Sequence, residues 1–337
     1  MSVQAEMIEI KNAPPIPGLI FRGFRGEADY PLMAEIINAA NKADGEDDVA
    51  KVEDIALNYA HIQRSDPDTD MLFIEINGEP MGYGRCMWDA EAEGDYLYSF
   101  FLHMKPEGRG RGISLPVLEY FLDRLTQVAA GHPADSPKYF QTWSLESKTW
   151  NNRLLEQLGM APVRYGFGMK RLCSKSIEPL PLPEGIETRP VKEEHMRAIF
   201  DAESEAFRDH WGYVKPTEKD FERFLADPHH DPSLWKVAWD GDEVVGMVRN
   251  FINKDENENA NRKRGYTEDI SVRRPWRRRG IARALLIESI LMFQQIGMEE
   301  TYLGVDTENP SGALNLYKSV GYEKDRTWLT YRKPLDN

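Results

Sequence analysis

Cysteine is almost missing from this chain: Cys86 and Cys173 are the two in 337 residues. Neither sits in a C-x-x-C pair, so a disulfide framework and a cysteine-rich zinc site are excluded as organising features. No apolar run approaches the roughly 20 residues that a bilayer-spanning helix needs. The opening stretch MSVQAEMIEIKNAPP has no basic segment leading into an apolar one and reads as no secretory signal. A cytoplasmic protein without membrane contact is expected. Basic residues are in deficit, 42 Lys and Arg against 56 Asp and Glu, for a net charge of −14. A field of that sign repels phosphate backbones and disfavours nucleic acid as a partner. Low-complexity sequence is also lacking, apart from the acidic-polar stretch 254–261, which reads as a solvated turn between two strands.

What remains is an ordinary globular composition, 41% hydrophobic and 29% charged, on a chain long enough for two domains. The chain repeats itself. MLFIEINGEPMGYGRC from Met71 parallels WKVAWDGDEVVGMVRN from Trp235, each a strand, a tight turn and a strand. Asn77-Gly78 and Asp240-Gly241 are hairpin-turn dipeptides. The segments from Tyr96 and from Tyr266 each read as a strand, an Arg/Gly-rich loop and an amphipathic helix. Those from Lys138 and from Glu300 read as a strand, a polar loop and a short helix ending in glycine. Gly82, Gly112 and Gly159 precede Gly246, Gly280 and Gly321 by nearly constant offsets. Two copies of one α/β domain follow: 18–173, a proline-stiffened linker at 174–185, and 186–337. Each copy begins with helices, expected at 34–41 and 49–63 in the first and at 192–207 and 217–226 in the second. Thr217 and Asp220 have the spacing of a capping box.

The segment with most chemical content is Arg277-Arg278-Arg279-Gly280-Ile281-Ala282, which follows a strand and opens a helix with apolar positions Ile281, Leu285, Met292 and Ile296. A helix N-terminus offers unpaired amides and the positive end of the macrodipole. Glycine lets the backbone come close to an anion, so the loop suits a pyrophosphate. The spacing is neither G-x-G-x-x-G nor a Walker loop. The pattern Arg277-x-x-Gly280-x-Ala282 resembles the acetyl-CoA loop of the GNAT acyltransferases. Asn309, Ala313, Tyr317, Gly321 and Tyr322 resemble that family's downstream block, with Asn309 one residue further from Tyr317 than is usual, through Pro310-Ser311-Gly312. The resemblance spans most of 186–334. In the first copy Arg109-Gly110-Arg111-Gly112-Ile113-Ser114 keeps the leading arginine and the glycine but has Ser114 in the Gly/Ala position, and Leu155 takes the tyrosine position. A weaker first copy before a better-kept second one is similar to the mycothiol synthase-like tandem GNAT proteins.

The resemblance implies two tandem domains, each a mixed, mainly antiparallel sheet flanked by helices, and N-acyl transfer from acetyl-CoA to an amine, catalysed by the second domain without a metal. It implies that Ile270, Ser271 and Val272 bind the pantetheine, and that Arg277, Arg278, Arg279, Gly280, Ile281, Ala282, Arg283 and Asn309 hold the rest of CoA. Arg109 to Ser114 would form a second CoA loop. Tyr317 would protonate the leaving sulfur; it also fits a core aromatic in helical spacing with Leu314 and Val320. Glu268 is the candidate base, with Asp269 as the fallback. Strand alternation sets Glu268 on one face with Tyr266 and Ile270, and Asp269 on the other. An ion pair with an arginine is the alternative use of Glu268. Asp209 to Tyr213 borders the acceptor site in the family. The acceptor is a small-molecule or peptide amine, and the net acidity favours a cationic one. The assembly is a monomer or homodimer. A CoA-binding scaffold without turnover and a nucleic-acid module using the arginine run are the competing readings.

Overall fold

Asn77 and Gly78 adopt positive φ, 53° and 82°, the conformation that a two-residue hairpin turn with both central residues left-handed requires. The computed structural model describes residues 6–309 and 311–335. Pro310 and the first five residues of the N-terminal stretch read above lie outside the described residues. The chain divides into two compact units. One runs through Val163 and resumes at Leu329; the other is Arg164–Trp328.

The first unit contains β1 (Leu19–Arg22), α1 (Tyr30–Asp44), α2 (Val52–Ala60), α3 (Pro67–Asp70), β2 (Met71–Ile76), β3 (Glu79–Ala90), β4 (Tyr96–Met104), α4 (Ser114–Ala129), β5 (Lys138–Leu145) and α5 (Thr149–Gln157). β1 to β4 pair antiparallel in chain order, and β5 joins β4 in parallel. One face packs α4 through Val117, Phe121 and Leu125 against Leu72, Tyr98 and Phe100. The other packs α1 through Met33 and Ile36 against Phe73 and Tyr83.

β6 (Ala161–Leu172) carries the chain into the second unit, which continues with β7 (Ile186–Thr188), α6 (Met196–Phe207), α7 (Glu218–Ala226), β8 (Lys236–Asp240), β9 (Glu243–Phe251), α8 (Lys254–Asn259), β10 (Arg264–Val272), α9 (Ile281–Gln295), β11 (Glu300–Asp306), α10 (Ala313–Ser319) and β12 (Glu323–Pro334). β7 to β10 are antiparallel in chain order, β11 is parallel to β10, and β6 closes on β11 antiparallel from Gly166 to Leu172. The capping box at the start of α7 forms, with Thr217 and Asp220 reciprocally bonded. Each unit thus has the expected mixed, mainly antiparallel sheet with helices on both sides.

Four sequence expectations need correction. The boundaries at 173 and 186 follow the chain, whereas the compact units follow strand pairing. Arg164–Leu172 bonds to β11 in the second unit, and the terminal segment bonds into the first, where the Leu335 amide donates to the Lys138 carbonyl at 2.9 Å. In the second hairpin Asp240 pairs with Glu243, so the turn residues are Gly241 and Asp242, with positive φ at Gly241. Stretch 254–261 is no open turn but contains α8, because Asn253 caps it (Oδ1 accepting from the Glu256 amide at 3.1 Å) and buried Glu256 accepts from Tyr266. Ile296 lies past the end of α9 and is 47% exposed, so the buried stripe ends at Phe293. Among the described residues no helix is long and apolar enough to cross a membrane.

Candidate active site

The second unit's sheet opens between its two parallel strands. β10 pairs with β11 over Arg264–Tyr266 and then stops, while its other edge follows β9 to Val272. A bulge between Glu268 and Ser271 drives the separation: two residues of β10 face one of β9, and Asp269 turns to φ 50°. Aspartate tolerates that region better than most side chains. The bulge breaks the strand alternation expected at this point, so the opposite-face rule for Glu268 and Asp269 does not hold across it. β11's free edge is met by side chains from β10. The Gly304 amide donates to Glu268 Oε1 at 3.1 Å, and Thr267 Oγ1 donates to the Tyr302 carbonyl at 3.2 Å.

Glu268 is half-buried in this opening, and its carboxyl is pushed up to about 8. Burial is the main cause and the neighbouring Asp269 carboxylate adds to it; the Gly304 N–H and Arg249 oppose it. Asp269 is bound by Arg249, whose guanidinium also reaches Glu203 at 2.7 Å. Of the adjacent pair, Glu268 is therefore the carboxylate left for proton transfer. Arg249 and Glu203 did not stand out in the sequence. A charged residue inside the apolar strand EVVGMVRNF was the signal available. Tyr317, on α10, is 5% exposed among Leu286, Val305 and Val320, with its ring edge-on to Tyr322. Its hydroxyl has no hydrogen-bond partner among the described residues. Burial, then the charge of Glu268, raises its pKa, so the phenol keeps its proton. It is a core aromatic and a proton donor within electrostatic reach of the base.

The arginine run separates into two sets. Arg277, expected on CoA, turns inward: Nε donates to the Val272 carbonyl at 2.9 Å, one terminal nitrogen to Asp209 at 2.7 Å and the other to the Ala206 carbonyl at 3.0 Å. It locks the end of β10 to the end of α6. Arg274 shares Asp209, and Arg273 pairs with Glu205 and Glu243. Those two arginines, Arg274 foremost, hold the Asp209 carboxyl far below the ordinary carboxylate range. Arg278, Arg279 and Arg283 are exposed and make no ion pair among the described residues. Arg278 and Gly280 have positive φ, 60° and 85°, so the loop turns its backbone toward the first amides of α9, those of Ile281, Ala282 and Arg283. Ser271 is buried with its hydroxyl unpaired; Ile270 and Val272 are half-buried beside it. Asn309 spends its side-chain carbonyl on the Ser311 amide at 2.9 Å, which leaves its side-chain N–H₂ to face a ligand. The 209–213 loop is tied at Asp209 to Arg277 and at Trp211 to Arg164, which sits over the indole at 5.2 Å and pairs with Asp306 at the end of β11.

The first unit reproduces the scaffold and not the reactive groups. Arg109 Nε donates to the Met104 carbonyl at 3.0 Å, and its terminal nitrogens reach Asp44 at 2.6 Å and the Ala40 carbonyl at 3.4 Å. That is the same latch as Arg277, so Arg109 too is committed within the protein. Gly110 and Gly112 keep positive φ, and buried Ile113 and Ser114 start α4. Counted from the paired starts of β4 and β5, Phe100 stands where Glu268 stands and Leu155 where Tyr317 stands, each 1% exposed.

Residues 196–322 match the Acetyltransferase (GNAT) family. The chain is 24% identical over 314 residues to a mycothiol acetyltransferase of Geodermatophilus obscurus, covering 91% of this chain and 94% of that one. Among solved structures it resembles a GCN5-related N-acetyltransferase from Sphaerobacter thermophilus, with TM-score 0.69, 27% identity and coverage of 95% and 96%. A tandem GNAT protein from the clavulanic acid biosynthesis pathway shares the fold at 13% identity, with TM-score 0.62 and coverage of 95% and 99%. The chain is thus an N-acetyltransferase with a GNAT domain at residues 196–322, built on a tandem GNAT fold.

Proposed function

We propose that the second unit transfers the acetyl group of acetyl-CoA directly to a primary amine of a small molecule, and that the first unit does not catalyse. The amides of Ile281, Ala282 and Arg283, with the free cations of Arg278, Arg279 and Arg283, receive the CoA phosphates. The strand edge from Ile270 to Val272 takes the pantetheine in the opening between β10 and β11. Glu268 removes a proton from the incoming ammonium, the freed nitrogen attacks the thioester carbon, and the tetrahedral intermediate expels the sulfur, which takes the proton of Tyr317. The observation that carries this reading is the pairing of a carboxylate raised to about 8 with a protonated phenol inside its field at one opening of the sheet. A base with a pKa near the working pH transfers protons most effectively. Glu203, Asp269 and Glu268 face the single cation of Arg249, which favours a protonated amine over an anionic acceptor. The mycothiol acetyltransferase relatives make small-molecule amines the first acceptors to try.

The test is an amine panel followed by release of the free CoA thiol, run on the unaltered chain and on Gly280→Glu and Gly112→Glu. A carboxylate at Gly280 enters the phosphate loop at a positive-φ position, so acetyl-CoA affinity and turnover are expected to be lost, while Gly112→Glu keeps most turnover. Turnover that survives Gly280→Glu and vanishes in Gly112→Glu would reverse the assignment of the active unit.

A further inference from the structure

We propose that the first unit holds a separate ligand site, a groove that binds the diphosphate of an adenine nucleotide and is closed to a thioester arm. A cavity of about 500 Å³ opens at the N-terminus of α4, lined by Gly110, Gly112, Ser114, Leu115, Trp150 and Leu154 among others. Two left-handed glycines and the first amides of a 16-residue helix face an anion in the same way as the Gly280 loop. The independent observation is Ser114. It is 6% exposed, lines the groove, and its hydroxyl makes no hydrogen bond among the described residues. A buried hydroxyl without a partner is costly unless something in the groove bonds to it. Arg111, on the same loop, is exposed and makes no ion pair among the described residues. Leu115, Trp150 and Leu154 supply an apolar wall suited to a flat base.

The arm has no route onward. β4 and β5 stop pairing after Ser99 and Gln141, as their counterparts do, but the opening is strapped. Asp44, at the end of α1, accepts from the Trp150 indole at 3.2 Å and from Arg109, and lies 3.7 Å from Lys148 Nζ. Lys148 also pairs with Glu46, and the Arg109 guanidinium sits 4.5 Å over the Trp150 ring. In the second unit Gly312 stands in the place of Trp150, and Asp209 is held by Arg274 and Arg277 on its own side of the opening. With Phe100 and Leu155 in the two reactive positions, the first unit can hold a nucleotide head and transfer nothing.

The experiment is calorimetric titration of the full chain carrying Gly280→Glu, with ADP and separately with acetyl-CoA as probes. One ADP per chain is expected, with Kd within about threefold of that for acetyl-CoA, because the arm adds no contact. Adding Ser114→Val removes one donor and should weaken ADP about tenfold. Arg111→Ala, at an exposed position that leaves folding alone, should weaken it by roughly three- to tenfold. Absence of ADP binding overturns the proposal. So does acetyl-CoA binding more than tenfold tighter than ADP, which would make the unit a full CoA site. ADP affinity that ignores both substitutions would place the nucleotide elsewhere and also overturn it.

Discussion

Replacing Glu268 by glutamine separates its catalytic use from its cost to the fold. Gln keeps the shape and still accepts the Gly304 N–H through its oxygen, so geometry is conserved. The carboxyl titrates near 4.5 when free and near 8 in the folded chain. Between those values the unfolded chain has lost the proton while the folded chain retains it, so wild-type stability falls as pH rises from 4.5 to 8 and then levels. At about 1.36 kcal/mol per pKa unit, the penalty is roughly 3 kcal/mol at pH 7 and approaches about 5 kcal/mol by pH 9. Glu268→Gln removes it. Urea unfolding at pH 5, 7 and 9 should show near equality with wild type at pH 5 and a stabilisation of that order by pH 9. Single-turnover acetyl transfer should meanwhile fall about 10²–10⁴-fold, and the rising limb of the wild-type rate near pH 8 should disappear. A stabilisation that does not change with pH would refute the buried-carboxyl account. A rate within tenfold of wild type would remove Glu268 as the base.

Tyr317→Phe deletes a hydroxyl that bonds to nothing in the protein, so thermal stability should be unchanged or slightly raised while single-turnover transfer drops about 10²–10⁴-fold; a drop in both would mark a packing role. Arg277→Lys loses the three-way latch and should cost on the order of 1–3 kcal/mol in unfolding free energy. Arg278→Ala should leave stability alone and weaken acetyl-CoA binding, and the reverse pattern would mean the two arginines were read the wrong way round. His103 is pushed down to about 4, by burial first and then by the charge of Lys148, with Asp44 opposing. The folded chain thus refuses a proton that the unfolded chain accepts, so stability is complete above pH 6.5 and drains as pH falls toward 4; His103→Gln should shrink the loss between pH 7 and 4.5 by about 2–3 kcal/mol in denaturant titrations.

The repeat, the Asn77-Gly78 turn, the Thr217 cap and the Gly280 loop could be read from the chain because each depends on neighbours within a few residues. What could not be read depends on partners far away. The run from Arg273 to Arg283 does not say which guanidiniums face outward, since the groups that claim Arg273, Arg274 and Arg277 come from α6 and the residues after it. Nor does an aspartate in a strand announce a bulge; Asp269 turns because β10 must leave β11 while still following β9. The exchange of terminal segments between units is likewise decided by free strand edges, which carry no local pattern. The two latches sharpen the point. Arg277 and Arg109 make the same three kinds of contact, yet only one unit has a carboxylate and a phenol in the reactive positions. The leading arginine of the loop therefore reports on how the strand end is fastened to the first helix, in a reactive unit and in a silent one alike. Reactivity has to be read from the register positions of Glu268 and Tyr317, where the first unit carries Phe100 and Leu155.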